Sequence, residues 1–338
     1  CVSGQYLLWR NTHSTSGLGL ATFQFFGGAS NNSLTNCIIE NNTTLASTGV
    51  ILIGTGTNNN ITISGNSIAS PSGGTTNNPA NGIYSNTATN TAITVASNSI
   101  SNFATSGVLV SNGASWTIGG AANGDGNSFF QTTTATTTQT AISVGVGTGH
   151  TVKFNKIGGS AAGATGTWTN SGAVSVIGIA FSGTAEGTIS NNAISNFSLT
   201  NTAASGFTGI NQTSSGSVTI QTDTIGHASA ANSILYAGSG AMIGINTSSV
   251  AANTINQNIL ANLSATGTTT TTTVRGIATA STGACTITQN TVRDITTATT
   301  AIASGASGIN SKLIGIFLNS SSTASSISKN SVYAFNHR

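Results

Sequence analysis

The chain has 338 residues, of which 8 are Lys or Arg and 5 are Asp or Glu, so that charged residues make up 4% and the formal net charge is +3. An ordinary soluble domain carries about 25% charged residues, and so thin a positive charge excludes the dense basic footprint that binds phosphate backbones, hence no nucleic-acid partner is expected. A hydrophobic content of 37% excludes charge-driven disorder, and no apolar run (174–181 is among the longest) nears the ~18 residues of a membrane span.

From the N-terminus, residues 1–29 show no repeat and read as an irregular segment, with Trp9, Leu18, Leu20, Phe23, Phe25 and Phe26 forming a partial cap. From residue 30 onward one phrase recurs: an apolar pair flanking a small polar residue, then Asn-x-Ile/Val. It is clear at Ile61-Thr62-Ile63 with Asn66-Ser67-Ile68, and at Ile93-Thr94-Val95 with Asn98-Ser99-Ile100. Weaker copies fall at Asn36, Asn127 and Asn155, and later ones at Asn192, Asp223, Asn258, Asn290 and Asn330. The nine intervals from 36 to 330 average (330 − 36)/9, about 33 residues, within the range of stacked repeats. A Gly-Ile/Val phrase precedes most copies. From Gly178, Gly209, Gly244 and Gly276 the next Asn/Asp lies 14 residues on, whereas the return to the following Gly varies from 17 to 25. Half of each repeat is therefore held to length and the other half accepts insertions, the loops at 158–175 and 296–312 being the expected seats of specificity.

Apolar and polar residues alternate at period two through the fixed half, which is strand periodicity. The alternation breaks just before the Asn, as at a corner, and Asn tolerates the left-handed conformation a corner requires. Identical Asn side chains stacked coil on coil can also form hydrogen-bonded ladders. Short strands, a recurring corner and stacked rows predict an all-β chain, a right-handed parallel β-helix of about ten coils with variable loops on one side. At about 4.8 Å per coil the rod would be roughly 50 Å long. The 2 prolines fit, because the main-chain N–H groups of every coil must feed the ladders. Apart from that partial N-terminal cap none is legible at either end, so residues 30–338 read as repeats within a longer chain.

The phrases Ile-Ser-Asn-Asn-Ala-Ile-Ser-Asn-Phe at 189–197 and Ile-Thr-Gln-Asn-Thr-Val-Arg-Asp-Ile at 287–295 resemble the β-strand repeats of very large secreted surface proteins of the Bacteroidota, of the kind exported by the type IX system. The resemblance implies a secreted, cell-surface, adhesin-like stalk whose partners are other segments of the same long chain, surface glycans or other cell-surface proteins. The phrases are similar as well to the right-handed β-helix superfamily of carbohydrate-active proteins, so carbohydrate binding or cleavage is the alternative.

Catalysis is not expected. The five acids, Glu40, Asp125, Glu186, Asp223 and Asp294, fall in different coils, whereas glycoside hydrolysis needs two carboxylates about 5–9.5 Å apart. His13, His150, His227 and His337 are isolated and read as surface loop residues, so no metal or cofactor is expected. Cys285 takes an inward position and reads as a small core residue, far in sequence from Cys37; a Cys1–Cys37 bridge has no spacing to support it. Two structural rows are expected. The Asn/Asp ladder comprises Asn66, Asn98, Asn155, Asn192, Asp223, Asn258, Asn290 and Asn330. The Thr ladder, four residues earlier, comprises Thr62, Thr94, Thr151, Thr188, Thr219, Thr254 and Thr286. A flat Thr-x-Thr face could order water as an ice-binding surface does, although the companion row two residues before the Asn is mixed. Exposed parallel strands favour Thr in any case. Trp116 and Trp168 are candidate sugar platforms, with core or loop packing as the competing reading. Thr224, in Asp223-Thr224-Ile225, matches a short O-glycosylation acceptor pattern. Arg275, Arg293, Lys312, Lys329 and Arg338 gather near the C-terminus and read as a solvated edge.

Overall fold

The computed structural model describes residues 7–12, 20–71, 77–135, 137–203, 205–231, 233–268, 271–298 and 313–337. The chain winds through three sheets in turn, and every strand pair is parallel and links one coil to the next. The molecule is a parallel β-helix solenoid of about ten coils. The threonine sheet has ten strands, from Ser33–Thr35 and Thr62–Ser64 to Cys285–Thr288 and Ser326–Ser328. The ladder sheet follows it within each coil, with strands such as Ser67–Ala69, Ser99–Ser101 and Thr291–Thr297. The glycine sheet, also ten-stranded, closes the coil with strands such as Val176–Phe181 and Phe207–Gln212.

Two left-handed corners bend the chain around the ladder sheet. The first is the residue before the ladder position, Asn36, Gly65, Ser97, Phe154, Asn191, Thr222, Gln257, Gln289 or Lys329, with φ between +55° and +67°. The left-handed residue is thus the neighbour of the ladder asparagine and not the asparagine itself, which is why the sequence alternation slips at that neighbour. Asn36 accordingly stands opposite Gly65, and Cys37 occupies the ladder position of its coil. The second corner, four residues after the ladder position, holds Asn102, Asn196, Asn262, Asp294 and Ala334, with φ from +52° to +63°.

In the glycine sheet the alternation breaks at the glycine, so that Val176, Ile179 and Phe181 all point inward. The space beside Gly178 is filled by Ile194 from the ladder sheet: an added Cβ would lie 2.5 Å from the Gly209 carbonyl oxygen and 2.9 Å from Ile194 Cδ1. Gly209 repeats this with the Gly244 carbonyl at 2.6 Å. The glycine of the Gly-Ile phrase is therefore a steric requirement of the triangular coil.

The core runs the length of the helix as stacked rows. Ile63, Val95, Ile118, Val152, Ile189, Ile220, Ile255 and Ile287 form one row and are fully buried. Burying such a side chain contributes about 1.5–3 kcal/mol relative to leaving it in water. Insertions concentrate at the passage from the ladder sheet to the glycine sheet. One of them, 158–175, is more than a surface loop, since it holds a short 3-10 turn at Ala162–Ala164 and a strand, Trp168–Asn170, paired with Phe197–Leu199. Residues 299–312 of the other expected loop lie outside the described residues. Within 1–29, Leu7–Asn11 pairs with Cys37–Asn41 and Phe23–Phe25 pairs with Ile51–Ile53, so this stretch contributes regular strands to the first coil.

Candidate functional site

The ladder asparagines from Asn66 to Asn290 are buried, and Asn330 is half-buried, at the turn from the threonine sheet into the ladder sheet, where the corner would strand main-chain groups away from water. The side chain supplies the missing partners. Asn66 donates its main-chain N–H and its Nδ2 to Asn98 Oδ1, at 2.9 and 3.0 Å. Asn98 does the same to Asn127, Asn127 to Asn155, and Asn155 to Asn192. Asn258, Asn290 and Asn330 continue the series. Each Nδ2 also reaches a core main-chain carbonyl of the preceding coil: Ile63 for Asn98, Val152 for Asn192, Ile220 for Asn258. Buried polar groups are tolerated when satisfied in this way, and a satisfied network fixes register.

Asp223 is the single acidic rung. Its Oδ1 accepts from the Asn192 N–H at 2.7 Å and Nδ2 at 2.8 Å, and its own N–H donates to Asn258 Oδ1 at 2.9 Å. Its Oδ2 is buried without a partner. Burial, offset in part by the Asn192 bonds, pushes its carboxyl up to about 7.

Outward from the ladder runs the threonine row. Thr62, Thr94, Thr151, Thr188, Thr219, Thr254 and Thr286 are half-buried and stand in register on successive strands. Thr117 belongs to the same row, opposite both Thr94 and Thr151. Sequence spacing misses it, because residues 120–126 intervene before Asn127; the triplet Trp116-Thr117-Ile118, matching Ile61-Thr62-Ile63, is the signal that finds it. The companion row reads Ser64, Ala96, Gly119, Lys153, Ser190, Gln221, Asn256 and Thr288, so one row of the two is threonine. The inserted residues overhang this face and wall a shallow groove of about 440 Å³ lined by Thr62, Thr94, Thr117, Asp125 and Lys153 among others.

The remaining candidates are placed elsewhere. Trp116 and Trp168 are fully buried and offer no face to a ligand. Trp116 donates Nε1 to the Asn90 carbonyl, and Trp168 packs on Phe103 and Phe197. Thr224 is half-buried in a strand between Ala193 and Ile259. His150 is not a surface residue: it lies in the inward row with Ile61, Ile93 and Cys285, against Phe181, and burial lowers its pKa. That place, five residues before Asn155, is the signal that locates it. His227 is exposed; His13 lies outside the described residues, and the His337 side chain likewise. Cys37 and Cys285 are buried free thiols, and burial pushes the Cys285 thiol up; Cys1 lies outside the described residues. Glu40 pairs with Arg10 and Asp294 with Arg293. Asp125 and Glu186 are exposed. Lys312 and Arg338 lie outside the described residues. Among the described residues no three His, Cys, Asp or Glu side chains gather at ligand distance.

The structure adds a second polar series that spacing missed, at the turn from the glycine sheet to the threonine sheet. Asn58 donates to Asn90 Oδ1 at 2.9 Å, and further along Ser249 N–H donates to Ser281 Oγ while Ser249 Oγ donates to the Ser214 carbonyl. The offset is nearly constant, eight residues before the ladder position for Asn58 and Asn90 and nine for Ser214, Ser249 and Ser281; the change from Asn to Ser between coils is what hides the row in the sequence. No family model, curated protein or solved structure matches the chain.

Proposed function

We propose that the chain is a non-catalytic structural stalk with an adhesive surface, part of a secreted bacterial cell-surface protein of the type IX-exported kind. The observation that carries this reading is the continuous Asn/Asp ladder, which joins successive coils through buried hydrogen bonds from Asn66 to Asn290 and through part-buried ones from Asn290 to Asn330. In this role the ladder and the aliphatic rows resist separation of the coils, and the outer faces present contact surface to glycans, surface proteins or further segments of the chain. Single-molecule stretching of the chain tests it. The stalk predicts force peaks spaced by one coil, about 110 Å of extended chain. Featureless extension at low force, or turnover of a polysaccharide by the purified chain, would overturn it.

A second reading, carbohydrate recognition, is favoured by the groove on the threonine sheet, where Lys153 and Asp125 stand beside a hydroxyl-bearing wall. Such a surface suits a hydroxyl-rich ligand, and the buried tryptophans take no part in it. Glycan-array binding lost in Lys153→Ala and retained in Trp168→Phe would support it, and absence of binding to any glycan would leave the stalk alone.

A further inference from the structure

In every Asn rung from Asn98 onward, Oδ1 accepts from the rung before and Nδ2 donates both to a core carbonyl of the preceding coil and, where a rung follows, to its Oδ1. Asp223 keeps the first half of this pattern and lacks the second. Its Oδ1 holds the acceptor place, so Oδ2 takes the place of the amide nitrogen and faces the side that in other rungs holds two acceptors. By register these are the Ile189 carbonyl and Asn258 Oδ1. An ionised carboxylate there sets oxygen against oxygen in a fully buried site. A proton on Oδ2 makes the carboxyl a donor and completes the rung.

We infer that Asp223 is a pH-sensitive rung: protonated, it substitutes for asparagine and holds its coil to both neighbours, and on losing the proton to solvent it opens the ladder locally at this coil. The elements around it bring no charge that could take over the proton's role. On its own coil His227 is exposed, and the Tyr236 hydroxyl bonds the Ser205 carbonyl. On the preceding coil Glu186 is exposed, and residues 241–265 of the following coil contain no titratable side chain. One coil further back, Lys153 and Lys156 stand on outer faces, and His150 is buried against Phe181. The carboxyl position of about 7 fits a device that works near neutrality.

The test compares the wild-type chain with Asp223→Asn by denaturant unfolding from pH 4 to pH 9, and follows amide hydrogen exchange along the whole wild-type chain. The asparagine variant restores the common rung. It is expected to show no fall in stability between pH 4 and pH 7 beyond what other groups cause. The wild type is expected to lose up to about 1,000-fold in its folding equilibrium constant over that window relative to the variant, since a shift from 3.8 to about 7 is roughly three pH units. Exchange, corrected for its intrinsic pH dependence, should rise around Asn192, Asp223 and Asn258 and nowhere else. Parallel pH profiles for the two proteins, or exchange that does not change locally with pH, would overturn the inference. The exchange measurement uses the wild type alone and so decides the matter even if the variant folds poorly.

Discussion

Replacing Asn98 by leucine removes one rung while keeping the volume of the side chain. Asn98 is 1% exposed and makes the complete set of bonds. Its Oδ1 accepts from Asn66 N–H at 2.9 Å and Nδ2 at 3.0 Å, and its Nδ2 donates to the Ile63 carbonyl at 2.8 Å and to Asn127 Oδ1 at 2.9 Å. In Asn98→Leu the buried Asn66 N–H loses its acceptor, which costs about 1–3 kcal/mol. Three further bonds are lost from groups that keep other partners, and each contributes about 0.5–1.5 kcal/mol. Asn66 Nδ2 keeps the Leu34 carbonyl, which limits its share. The expected loss is about 3–6 kcal/mol, reduced slightly by the apolar contact leucine gains. Because coils interact with nearest neighbours, unfolding should begin at this seam and not be uniform. Denaturant unfolding combined with hydrogen exchange reads both effects. A loss below about 1 kcal/mol, or protection at Cys37, Asn66 and Asn127 unchanged from wild type, would refute the view that the side-chain ladder holds the coils together.

Four further outcomes follow from the same geometry. Gly178→Ala forces a methyl group within 2.5 Å of the Gly209 carbonyl and against Ile194, and thermal unfolding should show about 1–3 kcal/mol lost. Trp168→Ala empties a buried site between Phe103 and Phe197; it should cost about 3–5 kcal/mol in denaturant unfolding, without a selective effect on glycan binding. Thr222 is exposed with φ +56°, so Thr222→Gly should raise the unfolding midpoint by relieving about 1 kcal/mol of left-handed strain. For Asp223 the folded-state pKa lies above the unfolded value, so the native state holds the proton more tightly. Its contribution is complete below about pH 4, falls as pH rises through about 7, and amounts to about 4 kcal/mol against Asp223→Asn in calorimetric or denaturant titrations.

The sequence by itself determined the stack. A period near 33 residues, strand alternation and a recurring Asn/Asp position required repeated strands meeting a corner, because a one-residue slip would turn every Ile63-type side chain outward. Near absence of charge belongs to the same logic: residues in parallel register stand about 4.8 Å from their equivalents, where like charges repel and amides bond. The sequence also carried the threonine row, except at Thr117, where an insertion broke the constant offset on which spacing depends. Only the tertiary structure decided what each position does in three dimensions. The left-handed turn falls on the neighbour of the ladder asparagine, a distinction of one residue that composition cannot make, since Ser97, Phe154 and Thr222 are poor left-handed formers held there by the coils on either side. Trp116, Trp168 and His150 became core because the corners turn them inward, whereas a linear reading leaves an isolated aromatic or histidine free to face water. The partnerless oxygen of Asp223 likewise exists only through stacking: its two prospective acceptors come from coils about thirty residues away in either direction, brought together by register.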